Sequence, residues 1–523
     1  MYSKKTQIIF GPAASVFFIC GLLMSAGCPP VIKSFSPEFG PVGTEVTIKG
    51  KYFGDTPADN TVQFRGVTST DVRVPEPKKT IIAKVPAGAT TGLISVETDK
   101  GRRLSKDNFT VEGPAKWTFM VYIDGDNNLE GAAIDDFLEM ASVGSSKEVN
   151  IVVQMDRIAG HVSTYGNWED TRRFHIQSGD VPSGVPVQNL GEQNMGDPGV
   201  LQDFVEWAVT DYPAEYYALF IWNHGGGWRN LIERRIIRSR SMRAMGAPDT
   251  AVARAVAQDI TDDDILYMKE VQQALEGAKQ SLTMRTGTEV KLNIVGFDAC
   301  LMGMLEVAYA LRNVANYMVG SENFEPFNGW PYDTILSDLV ATPSFGPKDL
   351  AGIIVTKYFN SYPSGLGITQ SAVDISALAA LAAQIDNFTG KATAEWSHLE
   401  DARANTTVYH DPYCWTGSFW GVDLWDFADE VYNRVTSTDI KTAALELKNA
   451  IDDTVVNELH SPDMDGSRGI AIYFPETQTI YNDDPDYPGY EQSNAFMPVD
   501  FVRLHNWDNW LQDYYANTFD GVK

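Results

Sequence analysis

The chain has 523 residues, of which 44% are hydrophobic and 11% aromatic, so it is long enough to form two or more domains with sizeable cores. Its formal net charge of -28 excludes the basic footprint of a nucleic-acid-binding protein and favours a highly soluble, exported protein. Of the four cysteines, Cys20 and Cys28 lie near the N-terminus, which leaves Cys300 and Cys414 for the folded body. The sequence permits two alternatives: a disulfide between Cys300 and Cys414, or a free catalytic thiol at Cys300.

Residues 1–28 have the pattern of an export signal. A positively charged start precedes an apolar stretch at 8–24, and Ser25-Ala-Gly-Cys28 resembles the cleavage box of bacterial lipoproteins, whose cysteine becomes lipidated. Ser25 stands where such boxes usually carry leucine, so ordinary secretion is the alternative. Glycine and proline interrupt the apolar stretch, which disfavours a lasting transmembrane helix. We therefore expect an extracellular or cell-envelope protein whose membrane contact is a lipid anchor at Cys28.

Residues 30–112 predict an immunoglobulin-like β-sandwich, because short β-rich runs alternate with glycine and proline turns. The motifs Ile32-Lys-Ser-Phe-Ser-Pro37, Gly40-Pro-Val-Gly43 and Ile48-Lys-Gly-Lys-Tyr-Phe-Gly54 resemble IPT/TIG domains. That resemblance implies a spacer or a module that binds a surface partner. Nothing in this segment suggests catalysis.

From residue 116 to 516 strands alternate with helices, which predicts an α/β domain with a mostly parallel sheet flanked by helices. Strands are predicted at 117–123, 149–155, 216–222, 291–297, 316–320, 367–373 and 469–474. Helices are predicted at 129–141, 200–209, 350–359, 376–388, 438–457 and 500–515.

Two of the buried strands end in residues that suit nucleophilic catalysis. Strand 216–222 is followed by Asn-His224-Gly225-Gly-Gly, and strand 291–297 is followed by Asp298-Ala-Cys300. Neighbouring parallel strands bring their carboxyl ends to one edge of a sheet, so Cys300 as nucleophile and His224 as base form a candidate dyad. The backbone N–H groups of Gly225 and Cys300 are candidate donors to the oxyanion. No third residue that orients the imidazole is evident.

The spacing of apolar residues after the cysteine predicts a helix that begins directly beyond Cys300 (Leu301, Met304, Leu305, Ala308 and Leu311). The positive end of that helix would lower the pKa of the thiol. The alternative role for a single cysteine at this position is structural, as a side chain packed in the hydrophobic core.

Four motifs together resemble the clostripain family of cysteine peptidases, which shares the caspase–gingipain fold (Trp117–Glu130, Asn223–Trp228, Gly296–Met304 and Gly469–Pro475). The resemblance implies an endopeptidase that uses the His224–Cys300 dyad and prefers a basic residue, usually Arg, before the scissile bond. Asp298 is the candidate that pairs with that residue, and a helix N-cap is its alternative role. Further candidates for the same pocket are Glu322, Glu325 and Asn328.

The segment 229–254 carries seven arginines against two acidic residues, a reversal of the acidic character of the chain. If the enzyme cuts after Arg, this segment is a candidate for activating self-cleavage near Arg238, Arg240 or Arg243. A solvated loop is the alternative.

The predicted reaction requires no cofactor, and no residue is predicted as a metal ligand. Calcium is left open because some relatives need it, and three acidic runs could supply oxygen ligands (Asp124-Gly-Asp-Asn-Asn128, Asp262-Asp-Asp264 and Asp463-Met-Asp-Gly466). Helix capping is favoured for the first run, and turns or solvated faces for the others. The histidines lack the spacing of zinc ligands.

The sequence thus predicts an exported cysteine endopeptidase that acts on protein or peptide substrates. Two alternatives stand beside it: a non-enzymatic surface adhesion protein that keeps the peptidase fold, and a Cys-His hydrolase or transferase that acts on other amides.

Overall fold

The computed structural model describes residues 28–111, 113–228, 257–409, 421–483, 490 and 500–518. The leader up to residue 27, the arginine-rich segment 229–254 and Cys414 therefore lie outside the described residues. The chain divides into two compact units, Met1–Gly113 and Pro114–Lys523. Within the described ranges no helix has the length and apolar character needed to cross a membrane.

The first unit is a β-domain of two sheets. Its strands are β1 (Val31–Ser36), β2 (Phe39–Gly40), β3 (Glu45–Lys51), β4 (Thr61–Phe64), β5 (Val67–Thr68), β6 (Val72–Glu76), β7 (Thr80–Lys84), β8 (Gly92–Thr98) and β9 (Gly101–Val111). One sheet has the order β1-β3-β7-β6 and the other β2-β9-β8-β4-β5. Both contribute to a single core, for example Ile48 and Ile81 from the first sheet and Phe64 and Val96 from the second. This arrangement confirms the predicted N-terminal β-domain.

The second unit contains the remaining elements. Its strands are β10 (Ala115–Gly125), β11 (Val149–Arg157), β12 (Thr171–His175), β13 (Gln188–Gly191), β14 (Ala214–Trp222), β15 (Ala257–Asp259), β16 (Asp264–Leu266), β17 (Leu292–Asp298), β18 (Ala315–Gly320), β19 (Thr369–Asp374), β20 (Val408–Tyr409), β21 (Gly421–Asp423), β22 (Val455–His460) and β23 (Ala471–Tyr473). Its helices are α1 (Glu130–Val143), α2 (Pro198–Asp211), α3 (Met268–Thr286), α4 (Leu305–Ala310), α5 (Tyr332–Ala341), α6 (Pro347–Ser361), α7 (Leu378–Lys391), α8 (Trp396–Asn405), α9 (Leu424–Arg434), α10 (Thr438–Thr454), α11 (Gln478–Asp483), α12 (Asp500–Leu504) and α13 (Trp507–Asn517).

A nine-stranded sheet organises this unit, in the order β13-β12-β11-β10-β14-β17-β18-β19-β22. The five central strands, from β11 to β18, pair in parallel, whereas the outer pairs are antiparallel. The mostly parallel sheet flanked by helices confirms the predicted fold class.

The central strands are buried on both faces, which explains their nearly continuous apolar sequences. On β10, Met120 and Tyr122 contribute to one core with α2 and α3, while Phe119 and Val121 contribute to the opposite core with α1, α5 and α6. The alternation follows from the two-residue period of a strand. Helices α3, α5, α8, α9 and α11 are not among the elements that the sequence predicts.

The prediction of a helix directly after Cys300 is wrong. Helix α4 is only six residues long and begins at Leu305. Before it the chain pairs with neighbouring loops and strands: Leu301 N–H donates to the Asn323 carbonyl at 3.1 Å, Gly303 N–H donates to the Ser321 carbonyl at 2.7 Å, and Met304 forms a parallel bridge with Ala471. The apolar spacing suits burial in either conformation, and these tertiary hydrogen bonds decide in favour of an extended segment. The thiol therefore does not stand at the N-terminus of the helix that follows it in the chain.

Candidate active site

The site lies where the adjacent parallel strands β14 and β17 end. Their register pairs Trp222 with Asp298, and Asn223 N–H donates to the Asp298 carbonyl at 3.3 Å. His224 and Cys300 therefore each stand two residues beyond the same rung of the sheet. The register brings the two predicted catalytic residues to one edge.

The loops that carry these two residues are in direct contact. A side chain on Gly225 would place its Cβ 2.1 Å from the Cys300 carbonyl oxygen and 2.8 Å from the Cys300 nitrogen. Because such distances are far inside van der Waals contact, only glycine at position 225 allows the approach. The two predicted oxyanion donors thus belong to backbones that pack against each other.

The backbone around the half-buried Cys300 is held in an uncommon conformation. Leu301, the next residue, has a φ of 63°, in the left-handed region that side chains other than glycine rarely adopt. The Leu301 side chain is only 3% exposed, and its N–H is bonded to Asn323, so the surrounding packing stabilises this conformation. Strain of this kind concentrates at functional sites. Glu325 N–H also donates to Cys300 Sγ at 3.3 Å.

The imidazole of His224 contacts Asn128, a residue with no predicted catalytic role. His224 Nε2 lies 2.9 Å from Asn128 Oδ1. With Nε2–H donating to this oxygen, Nδ1 carries the lone pair that can accept a proton. Burial lowers the pKa of His224 to about 4, so the neutral imidazole, the form that acts as a base, is favoured near neutral pH. Asn128 follows β10, the neighbour of β14, and its place after a central strand was the available sequence signal.

Asp298 is the last residue of β17 and is only 4% exposed. Its Oδ2 accepts hydrogen bonds from Tyr332 Oη at 2.9 Å and from Trp330 N–H at 3.2 Å. Because no helix begins there, the N-cap role is wrong. Burial raises the pKa of Asp298 to about 6, although these donors and Glu325 act against the shift.

Two further carboxyl groups surround Asp298. Burial and then the charge of Asp298 raise the pKa of Glu325 well above its usual range, and its Oε1 accepts from Trp330 Nε1 at 3.2 Å. Asp136, which the sequence analysis does not name, has its pKa raised by the same two causes. Gly329 packs against two of these groups: a Cβ at this position would lie 3.0 Å from both Asp298 carboxylate oxygens and 3.4 Å from Asp136 Oδ2. In the described part of the chain no lysine or arginine forms an ion pair with this acidic cluster.

The other two pocket candidates lie elsewhere. Glu322 is buried, but its Oε2 accepts from Gly469 N–H at 3.1 Å, and burial followed by Asp423 raises its pKa. Asn328 is exposed at the surface. The structure thus brings Asp298 and Glu325 together and leaves Glu322 outside their cluster.

A second group of carboxylates could hold a metal ion. One ligand atom from each of Asp126, Asp156, Glu192 and Asp259 lies within 4.8 Å of the others. Asp126 belongs to the acidic run for which helix capping is favoured, and that prediction is wrong for its carboxylate. The N-cap of α1 is Leu129, which makes no side-chain cap.

Comparisons with known proteins match both units of the chain. A family model described as the clostripain family (Peptidase C11) matches residues 121–520, and an IPT/TIG domain model matches residues 30–112. The chain is 26% identical to clostripain of Hathewaya histolytica over 463 residues, which cover 78% of this chain and 80% of that protein.

Two solved structures share the fold. One is a secreted C11 cysteine protease from Bacteroides thetaiotaomicron in complex with an irreversible peptide inhibitor, with a TM-score of 0.54, 21% identity, and coverage of 76% of this chain and 100% of that one. The other is an inactive zymogen C11 protease from Parabacteroides distasonis, with a TM-score of 0.50, 20% identity, and coverage of 78% and 100%. At these identities the likeness concerns the fold.

Proposed function

The chain belongs to the clostripain family of cysteine peptidases, and from this premise we propose that it cleaves peptide bonds after arginine with Cys300 as nucleophile and His224 as base. The observation that carries the proposal is the shared rung of β14 and β17, which sets both residues at one edge with Gly225 against the Cys300 backbone.

The chemistry follows from the hydrogen bond between His224 and Asn128. His224 Nδ1 accepts the thiol proton, and the sulfur of Cys300 attacks the carbonyl carbon of the substrate, so that a C–S bond forms and the carbonyl oxygen becomes an oxyanion. The N–H groups of Gly225 and Cys300 donate to that oxyanion. The imidazolium then gives its proton to the departing amine, the C–N bond breaks, and water hydrolyses the thioester.

Specificity for arginine is supported by the cluster of Asp298, Glu325 and Asp136. Buried carboxyl groups that repel one another hold protons with raised pKa values, and a guanidinium that replaces those protons satisfies the charges with bidentate hydrogen bonds. Asp298 is two residues before Cys300 in the chain, so both belong to the same segment at the end of β17.

Two further features follow from this specificity and from the N-terminus. The enzyme cuts its own arginine-rich segment near Arg238, Arg240 or Arg243 and thereby becomes active. It is exported and anchored through a lipid on Cys28, with the IPT/TIG domain as a spacer or surface-binding module. N-terminal sequencing of the mature chains tests both features. It identifies the self-cleavage site, and it shows whether the N-terminus at Cys28 is blocked by a lipid or free.

Substrate profiling with a mixture of peptides tests the proposed activity. We expect cleavage after Arg by the wild type, and no cleavage by Cys300→Ala, whose chain also stays intact between residues 229 and 254. Hydrolysis that survives in Cys300→Ala contradicts the assignment of the nucleophile. Full activity of an uncut chain contradicts self-activation, and the absence of any hydrolysis favours the non-enzymatic adhesion protein.

A further inference from the structure

The N-terminal β-domain differs in charge from the rest of the chain. Residues 30–112 carry 12 Lys and Arg against 10 Asp and Glu, a formal net charge of +2, whereas the whole chain stands at -28. A protein with that overall charge is repelled by an anionic surface, and a local excess of positive charge is needed to reverse the repulsion. The distribution of basic residues on this domain therefore indicates which of its surfaces can meet an anionic partner.

One part of this positive charge lies beside residue 29, directly after Cys28. Gly101 begins β9 and lies next to Pro29, since a Cβ on this glycine would be 3.8 Å from the proline Cβ. Arg102 and Arg103 follow Gly101 on the same strand, and both side chains are exposed. The two guanidinium groups are therefore carried by the end of β9 that lies next to the segment following Cys28.

A second part lies on the other sheet, at the same end of the domain. Lys51 ends β3 and is the register partner of Val31, the first residue of β1. Lys33 follows Val31 on β1, and both lysines are exposed. Basic residues from the two sheets thus lie close to residues 29–31, and together they form what is here called the anchor-side basic face (Lys33, Lys51, Arg102 and Arg103).

The anchor-side basic face keeps unpaired positive charge. Among the described residues, none of its four members forms an ion pair with a carboxylate, whereas the adjacent Lys100 pairs with Asp99 at 2.9 Å. Glu97 is the register partner of Arg102 on the neighbouring strand, yet their charged groups make no ion pair. Arg103 Nη1 donates to the carbonyl of Arg102 at 2.9 Å, which leaves its charge uncompensated. Unpaired charge is the property that binding to an anionic surface requires.

Exposed apolar side chains lie among these cations. Val31 is 40% exposed, Tyr52 49% and Leu104 53%. Tyr52 follows Lys51, and Leu104 lies two residues after Arg102 on β9, so the alternation of a strand directs the side chains of Arg102 and Leu104 to the same side. Basic and apolar side chains mixed on one surface are typical of proteins that lie on a bilayer, and tyrosine favours the level of the headgroups.

We propose that the anchor-side basic face binds the anionic headgroups of a lipid bilayer and holds the β-domain against the membrane. A bilayer is favoured over a soluble polyanion because the face adjoins Cys28 and includes apolar side chains. Contact between the face and the bilayer does not require the lipid, whereas its role as a second membrane attachment rests on the proposed anchoring at Cys28. An acyl anchor and a basic patch together hold a protein on a membrane more firmly than either alone.

The contact is tested in the absence of the lipid. The chain from residue 28 onward is produced with Cys28→Ser, which prevents lipid attachment, and with Cys300→Ala, which prevents the proposed self-cleavage. Its binding to phosphatidylcholine vesicles with and without phosphatidylglycerol is measured by co-sedimentation. We expect binding only to vesicles that contain phosphatidylglycerol, and its loss at about 1 M salt, where the screening length falls to about 3 Å.

Neutralisation of the two arginines measures the contribution of the face. In the same background, Arg102→Gln combined with Arg103→Gln is expected to weaken binding to the anionic vesicles about 30-fold, because each basic residue near such a surface contributes about fivefold. Both side chains are exposed, so the melting temperature is expected to stay within about 1 °C of the parent protein.

The matched control is Arg65→Gln combined with Lys84→Gln, which removes the same charge from the same domain. Lys84 pairs with the first residue of β3, and Arg65 follows the last residue of β4, so both lie at the end of the domain remote from Lys51 and Gly101. The control is expected to keep its binding within about threefold of the parent protein. Equal losses in the control and in the arginine variant overturn the proposal, as does the absence of binding to anionic vesicles.

A third variant separates a bilayer from other polyanions. Leu104→Asn keeps every charge and is expected to weaken binding to anionic vesicles about fivefold, because an apolar side chain no longer enters the headgroup region, while binding to heparin stays unchanged. If heparin is bound as tightly as the vesicles and Leu104→Asn changes neither, the face is a general polyanion site and the proposal is overturned. None of these results depends on the lipid at Cys28, which N-terminal sequencing tests separately.

Discussion

The bond between Asn128 and His224 gives the sharpest prediction about catalysis. Asn128→Ala removes the acceptor that lies 2.9 Å from His224 Nε2. Because Asn128 is exposed, its replacement costs the fold little stability, and the melting temperature is expected to stay within about 1 °C of wild type. The imidazole, however, loses the bond that fixes its orientation and the position of its proton.

The size of the effect follows from the strength of one hydrogen bond. A net contribution of about 1.4 kcal/mol to the transition state corresponds to a roughly tenfold fall in kcat, with KM nearly unchanged. The assay is steady-state hydrolysis of a fluorogenic arginine peptide by fully processed enzyme, with active sites counted by an irreversible thiol inhibitor. Counting is needed because poor self-processing of the variant also lowers the apparent kcat.

Asn128→Asp is the matched variant, since it keeps an acceptor oxygen and adds a negative charge. The charge favours the imidazolium, so the pKa of His224 rises from its depressed value of about 4, and the acidic limb of kcat/KM moves to higher pH. If Asn128→Ala retains kcat within about twofold, and Asn128→Asp leaves the pH profile unmoved, the bond has no catalytic role and the reasoning fails.

Three further predictions concern specificity and stability. Asp298→Asn is expected to lower kcat/KM for arginine peptides about 100-fold, because the buried ion pair between Asp298 and the substrate arginine is lost. A small thiol reagent should still alkylate Cys300 in this variant. An unchanged preference for arginine contradicts the proposed role of Asp298. Arg157→Met leaves the buried carboxylate of Glu130, its partner at 2.7 Å, without a counter-charge, and should lower the free energy of unfolding by about 3–5 kcal/mol. Adding Glu130→Gln should restore part of this stability. Denaturant titrations measure both effects. Burial raises the pKa of Glu306 to about 7, so the stability present below its unfolded pKa is lost as pH rises through that value. Glu306→Gln should therefore stabilise the fold by about 3 kcal/mol at about pH 8 and by about 1 kcal/mol at about pH 5, and equal effects at both pH values would refute the assignment.

The parts of the site that could be predicted from sequence are those set by neighbouring parallel strands. His224 and Cys300 each follow an unmistakable buried strand, and strands of this type place their carboxyl ends together. The structure adds the register, which pairs Trp222 with Asp298. The position of Asp298 at this edge could be predicted for the same reason.

The parts that could not be predicted depend on contacts between segments distant in the chain. Asp156 and Glu192 carry no motif, and only the sheet order β13-β12-β11-β10 brings them near Asp126. Asp136 is likewise one of four acidic residues on helix α1, and no motif distinguishes it from the others. After Cys300, the apolar period fitted a helix, but the bridge of Met304 to Ala471 involves a strand that lies far along the sequence. The spacing of apolar residues near Cys300 gives no information about a pairing partner as distant as Ala471.

Labelling of the thiol tests the central claim, the Cys300–His224 dyad, most directly. Processed wild-type enzyme is incubated with an irreversible inhibitor that carries arginine next to an acyloxymethyl ketone, and the modified residue is identified by mass spectrometry. The dyad predicts a single label on Cys300, formed in proportion to the loss of activity and greatly slowed in His224→Ala. A label on another residue, or complete inactivation while Cys300 stays unmodified, would contradict it.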